Sequence, residues 1–547
     1  MPLHHAALWC ATVTLMVAAL PAFARPGPIV NAPAGAVEGQ AQGGLRVFKG
    51  LPYAQSTAGE ARWTPPRPAR KWRGVRLATE FGPACFQPSA GKTSIYADDP
   101  ERMSEDCLSL NIWTPKDARR APVFVWIHGG SLTIGAGGRP LYDGARLAER
   151  GVVVVSINYR LGVLGYLAHP ALSAESPLGI SGNYGLLDQI EALRWVRRNI
   201  AAFGGDPSNV TIAGESAGGL SVMYLMVAPD ARGLFHKAIA ESAYMISTPE
   251  LKRDAHGHKS AEASGVELAA KLGAADLAQL RVMDPAKLTL SAAGAGFGPF
   301  GAVDGKVLPM QIVEAFDRGE QAHVRLLVGF NSGEIRSLRA LAPPVPVSAA
   351  AYESVIRERY GDAADAFLKL YPSANLEESI LATTRDALYG WTAQRMAIKQ
   401  TAAGAPAYLY MFDHGYPAAH SAGLHGFHAS ELPYVFGTLD RLPVNWPKPP
   451  ETHAETALSD AMVGYWTSFA RTGTPVAPGA PDWRPYGPSG DFMHFEAAPR
   501  MSGRLLPGMY DFVEQIVCRR RVAGDQSWNW NVGLWSPPLP PATPACR

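Results

Sequence analysis

Five short runs of β-branched and aromatic residues punctuate the chain: VFVWI at 123–127, VVVVSIN at 152–158, VTIAG at 210–214, RLLVGF at 325–330 and AYLYMF at 407–412. They are nearly continuous in apolar residues rather than alternating, as a strand with one wet face would be. Strands of that kind are buried on both faces, the environment of a mainly parallel sheet covered by helices on either side. Between the second and third runs, DQIEALRWVRRNIAAF (188–203) spaces Ile190, Leu193, Val196 and Ile200 along one helical face. The expected class is therefore α/β, without internal repeats or heptads. In open sheets of this class, ligands bind at the carboxyl ends of the strands. The residues that follow each run are accordingly the ones to inspect.

After VFVWI comes His128-Gly129-Gly130-Ser131; after VTIAG comes Glu215-Ser216-Ala217; after RLLVGF comes Asn331-Ser332-Gly333-Glu334. The fifth run leads through a longer loop into LHGFHASELPYVFG (424–437). The G-x-S-x-G around Ser216 is weak on its own, because 55 of the 547 residues are glycine and such a pattern recurs by chance. The set is stronger. A glycine turn, a serine, a carboxylate and a histidine each follow a strand, and their order Ser…Glu…His is that of nucleophile, acid and base on an α/β-hydrolase sheet.

Several longer stretches carry a resemblance: FKGLPYA (48–54), RWTPP (62–66), EDCLSLNIW (105–113), NYRLGVLGYL (158–167), GNYGLLDQ (182–189), FGGDPSNVTIAGESAGG (203–219) and YWTSFARTGTP (465–475). With them the chain resembles the type B carboxylesterases, the cholinesterase-like branch of the α/β-hydrolase fold, along almost all of its length; only residues 250–320 match in scattered fashion. The resemblance implies a central, mostly parallel twisted sheet flanked by helices, with large helical insertions forming a gorge over the active site. It implies Ser216 as nucleophile, Glu334 as triad acid and His428 as base, with the N–H groups of Gly130, Ser131 and Ala217 as oxyanion donors. HASELPYVF matches the family's H-x-x-E-L-x-Y-V-F, which favours His428 over His425 and His420. The reaction so implied is ester hydrolysis through an acyl-enzyme intermediate, on small to medium organic esters, with no cofactor and no metal. The His425-x-x-His428 spacing lacks the glutamate of an H-E-x-x-H metal motif. A non-catalytic binding protein of the same fold, or a lipase or amidase variant, are the alternatives.

Two departures from the family pattern stand out. The usual third glycine of the oxyanion loop is replaced by Ser131, and N-x-D-E-G is replaced by Asn331-Ser332-Gly333-Glu334-Ile335. Asp304 and Glu320 are therefore kept as further candidate acids. The resemblance also implies ion pairs Arg62–Glu105 and Arg160–Asp188, and Ser242 as a support for the acid. Residues 86–106 hold only Phe86 and Tyr96 as aromatics, without the tryptophan with which cholinesterases bind a quaternary ammonium, so choline esters are not expected substrates. Arg336 and Arg339 are candidate anchors for a carboxylated substrate, or ordinary exposed arginines.

Composition changes this picture only in compartment and partners. A net charge of +2 argues against nucleic acid as a partner, and leaves a small-molecule ester as the expected one. The apolar stretch AALWCATVTLMVAAL (6–20), then Pro21 and Ala22-Phe23-Ala24, reads as a signal peptide cut after Ala24, although MPLHH before it contains no Lys or Arg. Residues 25–547 would then be one large domain exported to the periplasm or the medium. No later stretch is long and apolar enough for a stable membrane span. Four cysteines remain beyond Cys10, and proximity in sequence suggests Cys85–Cys107 and Cys518–Cys546 among the three possible pairings. No feature of the sequence sets an oligomeric state.

Overall fold

All five apolar runs are strands of one eleven-stranded sheet in the computed structural model, which describes Met1, residues 27–528 and residues 532–546. The expected cleavage after Ala24 lies outside the described residues. In chain order the strands are β1 (Gln40–Gln42), β2 (Leu45–Pro52), β3 (Ser109–Pro115), β4 (Ala121–Ile127), β5 (Val153–Ile157) and β6 (Gly205–Glu215). They continue as β7 (Lys237–Glu241), β8 (Arg325–Asn331), β9 (Ala407–Phe412), β10 (Asp491–Phe495) and β11 (Pro499–Gly503). The spatial order is β11-β10-β9-β8-β7-β6-β4-β5-β3-β2-β1.

The centre of the sheet, from β5 through β4, β6, β7, β8 and β9 to β10, is parallel, whereas β1, β2, β3 and β11 join antiparallel at the margins. The runs legible in sequence are the central ones, since only strands covered on both faces are apolar throughout. β7 has the sequence KAIAE and is buried along its whole length, charged ends included, so periodicity alone does not reveal it. The edge strand β1, QAQ, is exposed at all of its residues.

The helix expected over 188–203 is α1 (Tyr184–Asn199), closed by a tight 3₁₀ turn at Ile200–Phe203, and Ile190, Leu193, Val196 and Ile200 are all buried. After β6 comes α2 (Ala217–Val227), buried at every residue. It lies so close to the sheet that a Cβ on Gly218 would stand 2.1 Å from the Ile127 carbonyl oxygen, and one on Gly214 would stand 2.5 Å from the Gly218 backbone. A Cβ on Gly219 would meet the Glu241 carbonyl at 2.8 Å. The glycines of GESAGG thus exist because backbone packs on backbone here.

Both ion pairs implied by the resemblance are present and buried. Arg62 Nε donates to Glu105 at 2.7 Å, and Arg160 Nη2 donates to Asp188 at 2.7 Å. Cys85 is bonded to Cys107 and Cys518 to Cys546, with Cα separations of 5.0 and 5.6 Å. The second bond returns the proline-rich tail to α3 (Met509–Ala523), where Arg519 Nε also donates to the Pro540 carbonyl at 2.7 Å. Among the described residues no helix is long and apolar enough to cross a membrane.

Gly218→Ala must displace main chain and is expected to destabilise by about 3 kcal/mol in urea unfolding. Gly233→Ala, where a Cβ meets nothing but φ is +73°, should cost only about 1 kcal/mol.

Candidate active site

The strand-to-helix turn between β6 and α2 is sharp. Ser216 has φ 56° and ψ −120°, outside the regions open to most L-residues, and such a conformation stores about 1–3 kcal/mol. It is held by the Ser216 N–H, which donates to the Glu241 carbonyl at 2.9 Å, and by the glycine contacts beneath it. The side chain sits at the N-terminus of α2, where developing negative charge is favoured. The residue is 8% exposed.

Two other strand ends converge next to it. β8 ends at Asn331, and Glu334 opens a short helix three residues further on, fully buried. Its Oε1 accepts from the Asn331 N–H at 2.8 Å and from the Ser242 hydroxyl at 2.6 Å, while Oε2 meets His428 Nδ1. Ser242 thus stands where the resemblance put it, just past β7. The loop bearing His428 is clipped to the acid loop by Gly333 N–H to Gly426 O at 2.8 Å and Asn331 Nδ2 to Phe427 O at 2.8 Å. A Cβ at residue 333 would stand 2.8 Å from the Leu424 carbonyl and 2.9 Å from that of Gly426. The glycine in place of the family's aspartate therefore lets the two loops close together.

The competing residues lie elsewhere. His425 and His420 pack edge to face at 4.4 Å, and His420 is exposed. Asp304 accepts from Asn183 and from the N–H groups of its own turn, and Glu320 is exposed. Arg336 Nη2 donates to both carboxylate oxygens of Glu378, and Arg339 donates to the carbonyls of Ala342 and Pro343. Both arginines are thereby engaged inside the protein.

Gly130, Ser131 and Leu132 all have positive φ, at 101°, 56° and 56°. Gly129 lies directly over the serine, since a Cβ there would come within 3.1 Å of Ser216 Cβ. Among the described residues, none of the N–H groups of Gly130, Ser131 and Ala217 donates a hydrogen bond within the protein. Ser131 occupies a glycine-type conformation at roughly 1 kcal/mol, and its side chain is exposed rather than packed. His128 beneath the loop stacks on Tyr159 at 4.5 Å, and burial pushes its pKa down to about 3, so it stays neutral.

Sequence reasoning missed the electrostatic setting. His428 Nε2 lies 3.1 Å from Glu215 Oε1, so carboxylates flank both ring nitrogens. Burial by itself would lower the His428 pKa, but Glu215 and Glu334 outweigh it and raise it to about 9. Glu215 is pushed up to about 7 and Glu241 to about 8, in both cases chiefly by burial, and Glu431 is raised for the same reason. Two buried acids thus flank the imidazole, and Glu241 and Glu431 are buried near them. The available signal was a set of glutamates inside otherwise apolar, buried stretches, GESAGG, KAIAE and HASELPYVF. Sequence reasoning also missed Tyr389, which a π-helical turn at Asp386–Gly390 brings to 5.4 Å from the His428 ring, ring centre to ring centre. Tyr244 packs on Tyr389 at 6.0 Å, and the Tyr96 hydroxyl donates to the His428 carbonyl at 3.1 Å.

Residues 26–513 match the Carboxylesterase family. The chain is 36% identical to a fumonisin B1 esterase of Sphingopyxis macrogoltabida, over 88% of this chain and 90% of that protein. It is 38% identical to a para-nitrobenzyl esterase of Bacillus subtilis (strain 168), over 84% of this chain and 92% of that one. A solved structure of a PNB esterase superposes with a TM-score of 0.75 at 34% identity, covering 87% of this chain and 97% of that one.

Glu241 accepts from Trp466 Nε1 at 2.9 Å, an interaction an amide oxygen preserves. Its raised pKa means that its contribution is intact below pH 4.5, where the unfolded chain also keeps the proton, and is lost as pH rises through about 8. Glu241→Gln should match the parent protein at pH 4.5 and exceed it at pH 8 by at least roughly 1 kcal/mol, read from urea midpoints across that range.

Proposed function

The chain belongs to the carboxylesterase family and is a carboxylic ester hydrolase, and from this we propose that Ser216, His428 and Glu334 are its catalytic triad, with Gly130, Ser131 and Ala217 as oxyanion donors. The observation that carries the proposal is the buried Glu334 carboxylate, bound to His428 Nδ1 and fixed from behind by the Asn331 N–H and the Ser242 hydroxyl. A carboxylate so placed sets the imidazole tautomer with the proton on Nδ1 and leaves Nε2 to act as base.

The chemistry proceeds in two halves. His428 Nε2 takes the Ser216 proton as Oγ attacks the ester carbonyl, and the oxyanion is received by the unspent N–H groups of Gly130, Ser131 and Ala217. The imidazolium gives its proton to the departing alcohol, leaving an acyl-serine. Water then repeats the sequence and releases the acid. Glu334 and Glu215 stabilise the imidazolium from either side, which favours the charged intermediate but demands neutral His428 at the start. With its pKa raised to about 9, the free enzyme gains activity as pH rises on the alkaline side.

The expected substrates are small to medium organic esters, the class to which the names of the fumonisin B1 and para-nitrobenzyl relatives point. Occupied acid, base and nucleophile positions speak against a binding-only role. We also read residues 25–547 as one domain, exported after loss of residues 1–24; the two disulfides favour an oxidising compartment.

Ser216→Ala should abolish the burst of alcohol release and stoichiometric labelling by phenylmethylsulfonyl fluoride, and a retained burst would remove the triad. Ser131→Gly keeps the N–H and deletes only the side chain. It should alter preference across acetyl to octanoyl esters more than turnover of the acetyl ester, whereas loss of a donor would cost about 2.7–4 kcal/mol on every ester. Matching chain-length profiles for the two proteins would count against a role for the serine side chain.

A further inference from the structure

We propose that Asp413 is a positioning residue for the Glu334–His428 pair: standing at the head of the segment that leads to the base, its carboxylate holds Ser332 of the loop that carries the acid, and is itself anchored by His494 on β10. The proposal rests on the triad reading above and concerns a residue outside it.

Asp413 directly follows β9, and its N–H donates to the Phe495 carbonyl on β10 at 2.7 Å. One carboxylate oxygen receives the Ser332 hydroxyl, and the other lies 3.3 Å from His494 Nε2. Ser332 is held from two further directions, by its N–H to the Phe412 carbonyl at 2.9 Å and by Arg385 donating to its carbonyl at 3.2 Å. The base loop passes directly over this knot. A Cβ on Gly426 would stand 3.3 Å from Ser332 Oγ and 3.5 Å from Asp413 Cα. Ser332 and Gly426 are each two residues from a triad member. A shift at Asp413 is therefore delivered to both partners of the Nδ1–carboxylate bond.

The sequence around the acid shows why such a tie is placed here. Gly333 admits the close approach of Leu424 and Gly426, but it gives the loop no side chain with which to hold its position. The tie comes instead from a neighbouring strand. His494 is steadied in turn by Arg500, which donates to Nδ1 at 2.7 Å and to Glu496 at 2.5 Å. Asp413, His494 and Glu496 place ligand-type atoms within 4.8 Å of one another. Arg500 already supplies the cation between them, which marks the group as an ion-pair chain and not a metal site. Burial raises the Asp413 pKa, but the bonds from His494 and Ser332 outweigh it and hold the group below the usual carboxylate range, so it is charged throughout the working range of an esterase.

Asp413→Asn, Ser332→Ala and the double variant, assayed on a para-nitrophenyl ester with a pH profile and a low-field proton spectrum of the imidazole Nδ1–H, test the proposal. Asp413→Asn should lower kcat roughly tenfold with KM nearly unchanged, because the reacting groups and not the ester-binding surface are misplaced. The acidic limb of kcat/KM should move to lower pH by about half a unit as Glu334 loses hold of the imidazolium. The low-field resonance should weaken. Ser332→Ala, which removes a single hydroxyl and is the milder change for folding, should reproduce all three effects, and the double variant should be no worse than Asp413→Asn. Additive losses, or a fall in kcat with limb and resonance unmoved, overturn the proposal. A weakened resonance with full turnover would instead uphold the tie and refute the triad reading on which its catalytic consequence rests.

Discussion

The site depends on a single buried carboxylate. Glu334 is fully removed from solvent, and an ionised carboxylate in such a place is tolerable only if its oxygens are all engaged. The acceptors are shared among a backbone N–H at the end of β8, a hydroxyl just past β7 and an imidazole on the loop after β9. Three strand ends must therefore be in register before the charge is satisfied. Removing any of these donors leaves charge stranded, which is why the loops around it are so tightly cross-tied. The same burial brings Glu215, Glu241 and Glu431 into a common field, where they are pushed towards the neutral form and His428 towards the charged one.

A second constraint is purely steric and places the serine. α2 packs on β4 and β7 through main-chain atoms, with a Cβ on Gly218 coming to 2.1 Å from a carbonyl oxygen. Side chains cannot provide so short an approach. The residue at the turn is consequently forced into positive φ, and its hydroxyl is lifted off the sheet at the head of the helix. The strain at Ser216 and its placement at the head of the helix are two consequences of the same close contact, and the charge network around Glu334 then has a fixed point beside it.

The central strands were legible because they are buried on both faces and so are apolar throughout, and the serine, acid and histidine were legible because each immediately follows, or is connected by one loop to, such a strand. What stayed hidden was polar matter inside the core. β7 carries Lys237 and Glu241 at its ends and breaks the apolar signal, although every residue of it is buried. Glu215 looked like a spacer in a glycine motif, since nothing in one sequence says that its carboxylate folds back towards His428. Tyr389 depends on a π-helical turn, whose extra residue per turn shifts the face on which a side chain emerges, and helical periodicity misplaces it. The arginines after Glu334 show the converse: position suggested a substrate contact, and Glu378 together with two carbonyls occupies them.

The two departures from the family pattern are opposite exchanges governed by one rule. At 131 a glycine position has gained a side chain, and at 333 a side-chain position has become glycine. The first is tolerated because φ of 56° strains the backbone only modestly, and the residue is exposed. The second is required because two carbonyl oxygens lie within 2.9 Å of where a Cβ would be, a contact that no rotamer relieves. A positive φ alone is thus a weak demand for glycine, whereas a close main-chain approach is a strong one. The loop at 129–132 obeys the weak demand and carries an exposed serine. The acid loop obeys the strong one, and having surrendered its own side chain it is held by a carboxylate from the next strand.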